Sequence, residues 1–253
     1  MKSIIRFLVR KIPRPVLIKF SFLFSRIMGF FYRGNNVECP VCEGTFRKFL
    51  PYGTHGVDNR LCPKCLSLER HRLIWLFLNQ KTDFFKASLK VLHIAPEQPF
   101  LKKFRALKNL NYTTADLVSP IADVKMDIRK MPFDDNSFDV LICNHVLEHI
   151  DDEEKATKEI YRVLKPGGWA ILQVPMDYNL EITYENPEIV SRAEREKHFG
   201  QYDHVRLYGK DYAKRLEKSG LTVTPDPLVM EMEPSLAERY RLDKNELVYL
   251  CKK

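Results

Sequence analysis

Residues 126–175 read MDIRKMPFDDNSFDVLICNHVLEHIDDEEKATKEIYRVLKPGGWAILQVP, and no other stretch restricts the fold as much. Val140-Leu141-Ile142-Cys143 is an unbroken apolar run, which predicts a strand buried on both faces of a parallel sheet. Asp151 is placed to cap the helix that follows, and Asp152, Glu153 and Glu154 suit its positive end. Ile160, Val163 and Leu164 give that helix an apolar stripe, and Lys165-Pro166-Gly167-Gly168 is expected to stop it. A second apolar strand is predicted from Trp169 to Val174. Strand, helix and strand at this spacing form a βαβ unit, which places ligands at the carboxyl ends of the strands.

The Asp127-Ile128 pair, the Pro-Phe-Asp-Asp turn, Ser137-Phe138-Asp139, Asn144-His145 and Leu147-Glu148-His149 together resemble the second half of a class I S-adenosylmethionine-dependent methyltransferase of the type 11 group. The resemblance extends more weakly from Leu89 to the C-terminus and does not cover the first eighty-odd residues. It implies an α/β fold: a Rossmann-like, seven-stranded, mostly parallel sheet with helices on both faces and the last strand antiparallel. It also implies S-adenosyl-L-methionine as cofactor. Asp116, at the end of a strand over Tyr112-Thr113-Thr114-Ala115, is expected to accept the ribose hydroxyls. The resemblance gives Asp127 the adenine amino group, Ile128 the adenine ring, and Asn144 the methionine end.

The first strand is read over Lys90-Val91-Leu92-His93-Ile94-Ala95. The family expects glycine after it, whereas this chain has Ala95-Pro96-Glu97-Gln98-Pro99. Glycine serves backbone approach to a pyrophosphate, and this cofactor has none. Ala95 and Glu97 are therefore retained as cofactor-binding candidates. Glu97 is read either as acceptor of the cofactor's ammonium or as cap of the next helix.

Cys39-Pro40-Val41-Cys42 and Cys62-Pro63-Lys64-Cys65 are two pairs at the spacing of a zinc ribbon, and four thiolates close a tetrahedral site with no open position. The expected metal is a structural Zn2+ held by Cys39, Cys42, Cys62 and Cys65. The alternative is a pair of disulfides, which the absence of a recognisable export signal disfavours. His55 lies between the pairs as a dispensable extra ligand. Cys143 and Cys251 read as ordinary free cysteines. After the ribbon, Ser67 is expected to cap a helix carrying Leu68, Leu73, Ile74, Leu76 and Phe77.

The net charge of +8 has one location. Lys2, Arg6, Arg10, Lys11, Arg14, Lys19, Arg26 and Arg33 precede the first acid, Glu38, and the rest of the chain balances to zero. A neutral main domain argues against a broad nucleic-acid footprint. The basic arm alternates cations with Phe7, Phe20, Phe22, Phe24, Phe30 and Phe31, and Lys19 and Arg26 interrupt its best candidate for a membrane span. This composition suits the interface of an anionic bilayer, docking on the protein's own surface, or an RNA-binding arm.

The acceptor region is expected after the fifth strand. Asn186-Pro187-Glu188 reads as a helix start, and His198-Phe199-Gly200-Gln201-Tyr202-Asp203-His204-Val205-Arg206 follows. His145, His204 and Asp203 are the candidate catalytic residues, while His149 reads as structural. Tyr208 to Lys218 is expected as a helix, followed by strands at Leu221 and Leu247. The expected division is a basic arm over 1–37, a zinc ribbon over 38–66, a connecting helix over 67–88 and a methyltransferase domain over 89–253. The leading reading is a cytoplasmic enzyme, peripheral on the inner membrane face, that methylates a small-molecule or lipid-linked acceptor. The alternatives are an RNA methyltransferase using ribbon and arm, and a non-catalytic interaction subunit.

Overall fold

The computed structural model describes residues 24–25, 27–53 and 56–253. The expected arm therefore lies outside the described residues over 1–23 and at Arg26, as does His55. The chain forms two compact units. The first comprises residues 1–85, 97–106 and 227–246, and the second 86–96, 107–226 and 247–253. Two stretches from the range 89–253 thus cluster with the N-terminal unit, where a linear division had its boundary at Leu89.

In the N-terminal unit, residues 27–31 are helical and two antiparallel hairpins follow. β1 (Arg33–Cys39) pairs with β2 (Gly44–Phe46), and β3 (Leu50–Tyr52) pairs with β4 (Val57–Leu61). Helix α1 (Glu69–Gln80) comes next. Ser67 does not cap it. The cap position is Leu68, whose N–H donates to His71 Nδ1 at 3.0 Å, while the Ser67 hydroxyl turns to the cysteines. Helix α2 (Gln98–Arg105) belongs to the same unit, and Trp75 stacks on Phe100 and Phe104 with centroids 6.4 and 6.1 Å apart.

In the second unit, β5 (Leu89–Ile94), β6 (Leu110–Asp116), β7 (Val124–Lys125) and β8 (Phe138–Asn144) run parallel. Helix α3 (Glu153–Val163) leads into β9 (Leu164–Gln173). The two-stranded pair β10 (Tyr184–Glu185) and β11 (Arg206–Leu207) brackets α4 (Arg192–Phe199), and α5 (Tyr212–Glu217) precedes β12 (Thr222–Asp226). Helices α6 (Leu228–Glu231) and α7 (Pro234–Arg239) belong to the first unit, and β13 (Val248–Lys252) returns to the sheet. The seven strands are ordered β12-β13-β9-β8-β5-β6-β7, with β13 antiparallel to both neighbours. This is the expected Rossmann-like sheet with its last strand reversed.

Burial explains why the strands are so apolar. Val91, Leu92, His93 and Ile94 are all buried, so both faces of β5 are covered. One core joins Leu92, Leu141 and Leu172 from the sheet to Ile160 and Val163 of α3 and Tyr212 and Leu216 of α5. His93 is accommodated by a 2.6 Å hydrogen bond between Nδ1 and the Tyr112 hydroxyl.

Several boundaries differ from expectation for local reasons. Asp152, not Asp151, caps α3, its carboxylate accepting from Lys155 N–H at 3.0 Å. Pro166-Gly167-Gly168 lies inside β9 instead of serving only as a helix stop. Gly167 has φ of +77°, and a Cβ at Gly168 would stand 2.9 Å from the Lys165 carbonyl oxygen, so both positions require glycine. Asn186-Pro187-Glu188 is a turn in which Asn186 Oδ1 accepts from Glu188 N–H. The helix begins at Arg192, capped by Ser191. The helix expected from Tyr208 starts only at Tyr212, because residues 206–207 pair in β11, Tyr208 bridges Met176 and Lys210 N–H is taken by the Leu180 carbonyl.

Candidate functional site

Sheet register places three candidate residues on one edge. Ile94 pairs with Ala115 on one side and Cys143 on the other. The next residue on each chain is Ala95, Asp116 and Asn144, so these sit side by side at the carboxyl ends of β5, β6 and β8. Neighbouring strands are about 4.8 Å apart, so the trio spans roughly 10 Å, a length suited to an extended small ligand.

Each position has a distinct local environment. Ala95 takes the place of the expected glycine with φ of +51°, anchored by its N–H to the Ala115 carbonyl at 2.8 Å. His145, after Asn144, has φ of +54°. Left-handed backbone costs roughly 1–2 kcal/mol for a residue with a Cβ, and here it recurs at two adjacent strand ends. Asp116 Oδ1 accepts from Val118 N–H at 2.8 Å and Ser119 N–H at 2.6 Å, which fixes the carboxylate at the strand end. Asn144 is buried.

Asp127 and Ile128 follow β7. Ile128 is buried, and Arg129 grips Asp127 through Nε at 3.0 Å and Nη2 at 2.7 Å. That hydrogen bonding holds the Asp127 carboxyl below the usual carboxylate range. Glu97 belongs to the first unit. It occupies the cap position of α2 without a side-chain cap bond, and its Oε1 lies 3.6 Å from His71 Nε2.

A second constellation joins two motifs far apart in sequence. Leu147-Glu148-His149 forms a 3-10 turn, and Asp203-His204-Val205-Arg206 runs beside it. Val205 N–H donates to the Glu148 carbonyl at 2.9 Å. Arg206 is buried, and its guanidinium donates to the carbonyls of Leu147, Ile150 and Asp151 and to the Glu185 carboxylate. Its role was not visible in sequence, because a lone arginine carries no sign of three carbonyl partners more than fifty residues away. Burial lowers the pKa of His204 against the opposing pull of Glu148, and its Nδ1 meets the Phe199 carbonyl at 3.1 Å. His145 Nδ1 lies 3.2 Å from Glu148 Oε1. Asp203 is on the rim, its Oδ1 accepting from Gln201. His145, His204 and Asp203 are thus gathered around one turn, together with Glu148, whose burial the Leu147-Glu148-His149 pattern does not reveal.

The four cysteines cluster in the first unit, each offering a sulfur within 4.8 Å of the others. Cys39 and Cys65 Sγ are 3.5 Å apart, and Cys42 and Cys62 Sγ 3.7 Å. Disulfide sulfurs stand about 2.05 Å apart, whereas thiolates around one zinc at about 2.3 Å lie roughly 3.8 Å from each other. The donor set therefore fits the metal. The two knuckles are built alike: Glu43 N–H reaches the Cys39 carbonyl at 2.8 Å, and Leu66 N–H the Cys62 carbonyl at 3.0 Å. Glu43 and Leu66 are both left-handed. The Ser67 hydroxyl is 3.1 Å from Cys39 Sγ and 3.2 Å from Cys65 Sγ. Fully buried Arg72 donates to the Arg60, Ser67, Tyr240 and Arg241 carbonyls and supplies a positive charge near the sulfurs.

Residues 80–172 match the family described as a methyltransferase domain, type 11. A ubiquinone/menaquinone biosynthesis C-methyltransferase, UbiE of Pseudoalteromonas translucida, is 38% identical over 77 residues, 30% of this chain and 28% of the relative. Sterol 4-C-methyltransferase strm-1 of Caenorhabditis elegans is 36% identical over 84 residues, 33% of this chain and 23% of the relative. The matches thus span about a quarter of these relatives' length. Among solved structures, the [4+2]-cyclase SpnF aligns with a TM-score of 0.52 at 15% identity, covering 84% of this chain and 89% of that one. That likeness concerns the fold, and its cyclase name illustrates that fold does not dictate reaction. The match over residues 80–172 makes this part of the chain similar to a methyltransferase domain, and the strand order with its reversed last strand gives the seven-stranded unit the Rossmann-like fold expected of such a domain.

Proposed function

We propose that the chain transfers a methyl group from S-adenosylmethionine to a small-molecule or lipid-linked acceptor. The observation that carries this reading is the alignment of Ala95, Asp116 and Asn144 on one sheet edge within the matched domain. In this reading Asp116 receives the ribose hydroxyls, Ile128 packs on the adenine and Asp127 meets its amino group after sharing or releasing Arg129. Asn144 faces the methionine end. When bound, the cofactor supplies an electrophilic methyl on a sulfonium, so in-line positioning of the acceptor provides much of the rate. A base is needed only for an acceptor that must lose a proton. His145 and, where its Nε2 carries no ion, His204 are the imidazoles offered for that task. Cys39, Cys42, Cys62 and Cys65 would hold a structural zinc.

Two observations support an apolar acceptor and a membrane surface. The relatives carry the names of quinone-pathway and sterol C-methyltransferases. Phe24, Ile27, Phe30 and Phe31 are exposed, continuing the aromatic, cation-rich pattern of the arm. No helix among the described residues is long and apolar enough to cross a membrane.

Calorimetry with S-adenosylmethionine tests the reading, on wild type and on Asp116→Asn. The amide retains Oδ1 for Val118 and Ser119 but loses the charge offered to ribose. Hydrogen bonds to a charged group are worth about 1.5–3 kcal/mol, or roughly ten- to a hundredfold in affinity. Absence of wild-type binding at millimolar cofactor would sink the reading.

A further inference from the structure

The Glu148 carboxylate is fully buried, and neither of its oxygens accepts a hydrogen bond. An uncompensated buried charge costs several kcal/mol, so this group is held for a positive partner. Three imidazoles surround it. His145 Nδ1 is 3.2 Å away, and one donor atom each from Glu148, His149 and His204 lie within 4.8 Å of one another. The His149 and His204 rings stand nearly perpendicular, with centroids 4.8 Å apart.

The tautomers follow from the partners. His149 Nδ1 meets the Asp203 carbonyl at 3.1 Å, and His204 Nδ1 meets the Phe199 carbonyl at 3.1 Å. A carbonyl only accepts, so Nδ1 carries the proton in both rings and Nε2 keeps its lone pair. A backbone carbonyl on the far nitrogen is the usual support of a metal-binding histidine. Arg206 ties the turn that carries Glu148 and His149 through three carbonyls, so hydrogen bonds independent of any ion hold that turn.

We infer that Glu148, His149 and His204 form a second metal site, for one divalent first-row transition ion such as zinc or iron(II). Two imidazoles and one carboxylate are a borderline donor set that suits those ions better than magnesium or calcium. Donors bound at 2.0–2.2 Å stand roughly 3–3.5 Å apart, so small side-chain shifts close the triad. Three protein ligands leave positions open for water. That an acceptor oxygen takes one of them rests on the methyltransferase reading; the site itself does not. This site is chemically unlike the four-thiolate cluster, which is closed.

The test is titration of the metal-stripped full-length chain with Zn2+ and, separately, Co2+. The Glu148→Gln and His149→Ala variants are titrated alongside, with far-UV circular dichroism to check folding. Wild type should bind one more equivalent than either variant, whatever the cysteine cluster holds. In the cobalt spectrum, that equivalent should add weak d–d absorption without a thiolate charge-transfer band. Equal stoichiometry in wild type and folded variants would overturn the site and leave Glu148 with His145 as its nearest imidazole. If the variants do not fold, the wild-type cobalt spectrum decides. Thiolate-type signals alone overturn the proposal, and an added nitrogen–oxygen-type signal supports it.

Discussion

Arg206 Nη1 donates to the Leu147 carbonyl at 2.9 Å, tying the end of one motif to the start of another 59 residues earlier. The same nitrogen reaches the Ile150 carbonyl at 2.6 Å, and Nη2 reaches Asp151. One planar guanidinium therefore closes the turn that carries Glu148 and His149. A lysine, with a point charge in place of a fork, cannot reproduce this arrangement.

Arg206→Ala should destabilise the fold by about 3–5 kcal/mol, since it leaves buried carbonyls unsatisfied and the Glu185 carboxylate without this partner. Arg206→Lys should fall between the alanine variant and wild type. Urea denaturation followed by circular dichroism measures both. A loss under 1 kcal/mol for the alanine variant would contradict the clasp.

Glu159 provides a pH dependence. Its carboxylate accepts from Arg162 Nε at 2.7 Å and from Met131 N–H at 2.7 Å, and these bonds lower its pKa from the ordinary 4.5. A carboxylate depressed in the folded state stabilises fully above its unfolded pKa, and that stability drains as pH falls through the folded value. Glu159→Gln should thus cost about 1.5–3 kcal/mol at neutral pH. The difference from wild type should shrink below pH 4.5. A gap that stays constant down to the acid transition would refute the assignment.

Zinc in the cysteine cluster predicts about one tightly held atom there per chain. Cys62→Ser should lower the melting temperature and expose the N-terminal unit to protease, because binding and folding are coupled in such modules. Strong chelator should do the same to wild type. Unchanged melting on both treatments would remove the structural role.

The basic arm gives a separable expectation. The full chain should sediment with anionic vesicles and much less with neutral ones, and salt should weaken the binding over a Debye length of about 8 Å. Removal of residues 1–23, which carry six of the arm's eight cations, should strongly weaken sedimentation while cofactor binding persists. Tight, salt-sensitive RNA binding without vesicle binding would favour the nucleic-acid alternative.

Local pattern was enough for the sheet. The apolar runs of β5, β8 and β9 and the helix between the last two are short-range features, and periodicity reads them directly. The paired cysteines were equally legible, because ligand spacing is a property of two turns. Side-chain environment was not legible. Nothing near Ala95 announces that it would take the left-handed conformation of the missing glycine, since that depends on its bond to Ala115 in the neighbouring strand. Nothing near Glu148 announces its burial among His145, His149 and His204. Sequence alone settled the strand–helix–strand order and the two thiolate pairs, because both follow from interactions within a few residues. Tertiary structure alone decided which polar groups share a buried space, because that proximity arises only when β11 folds back against the turn after β8.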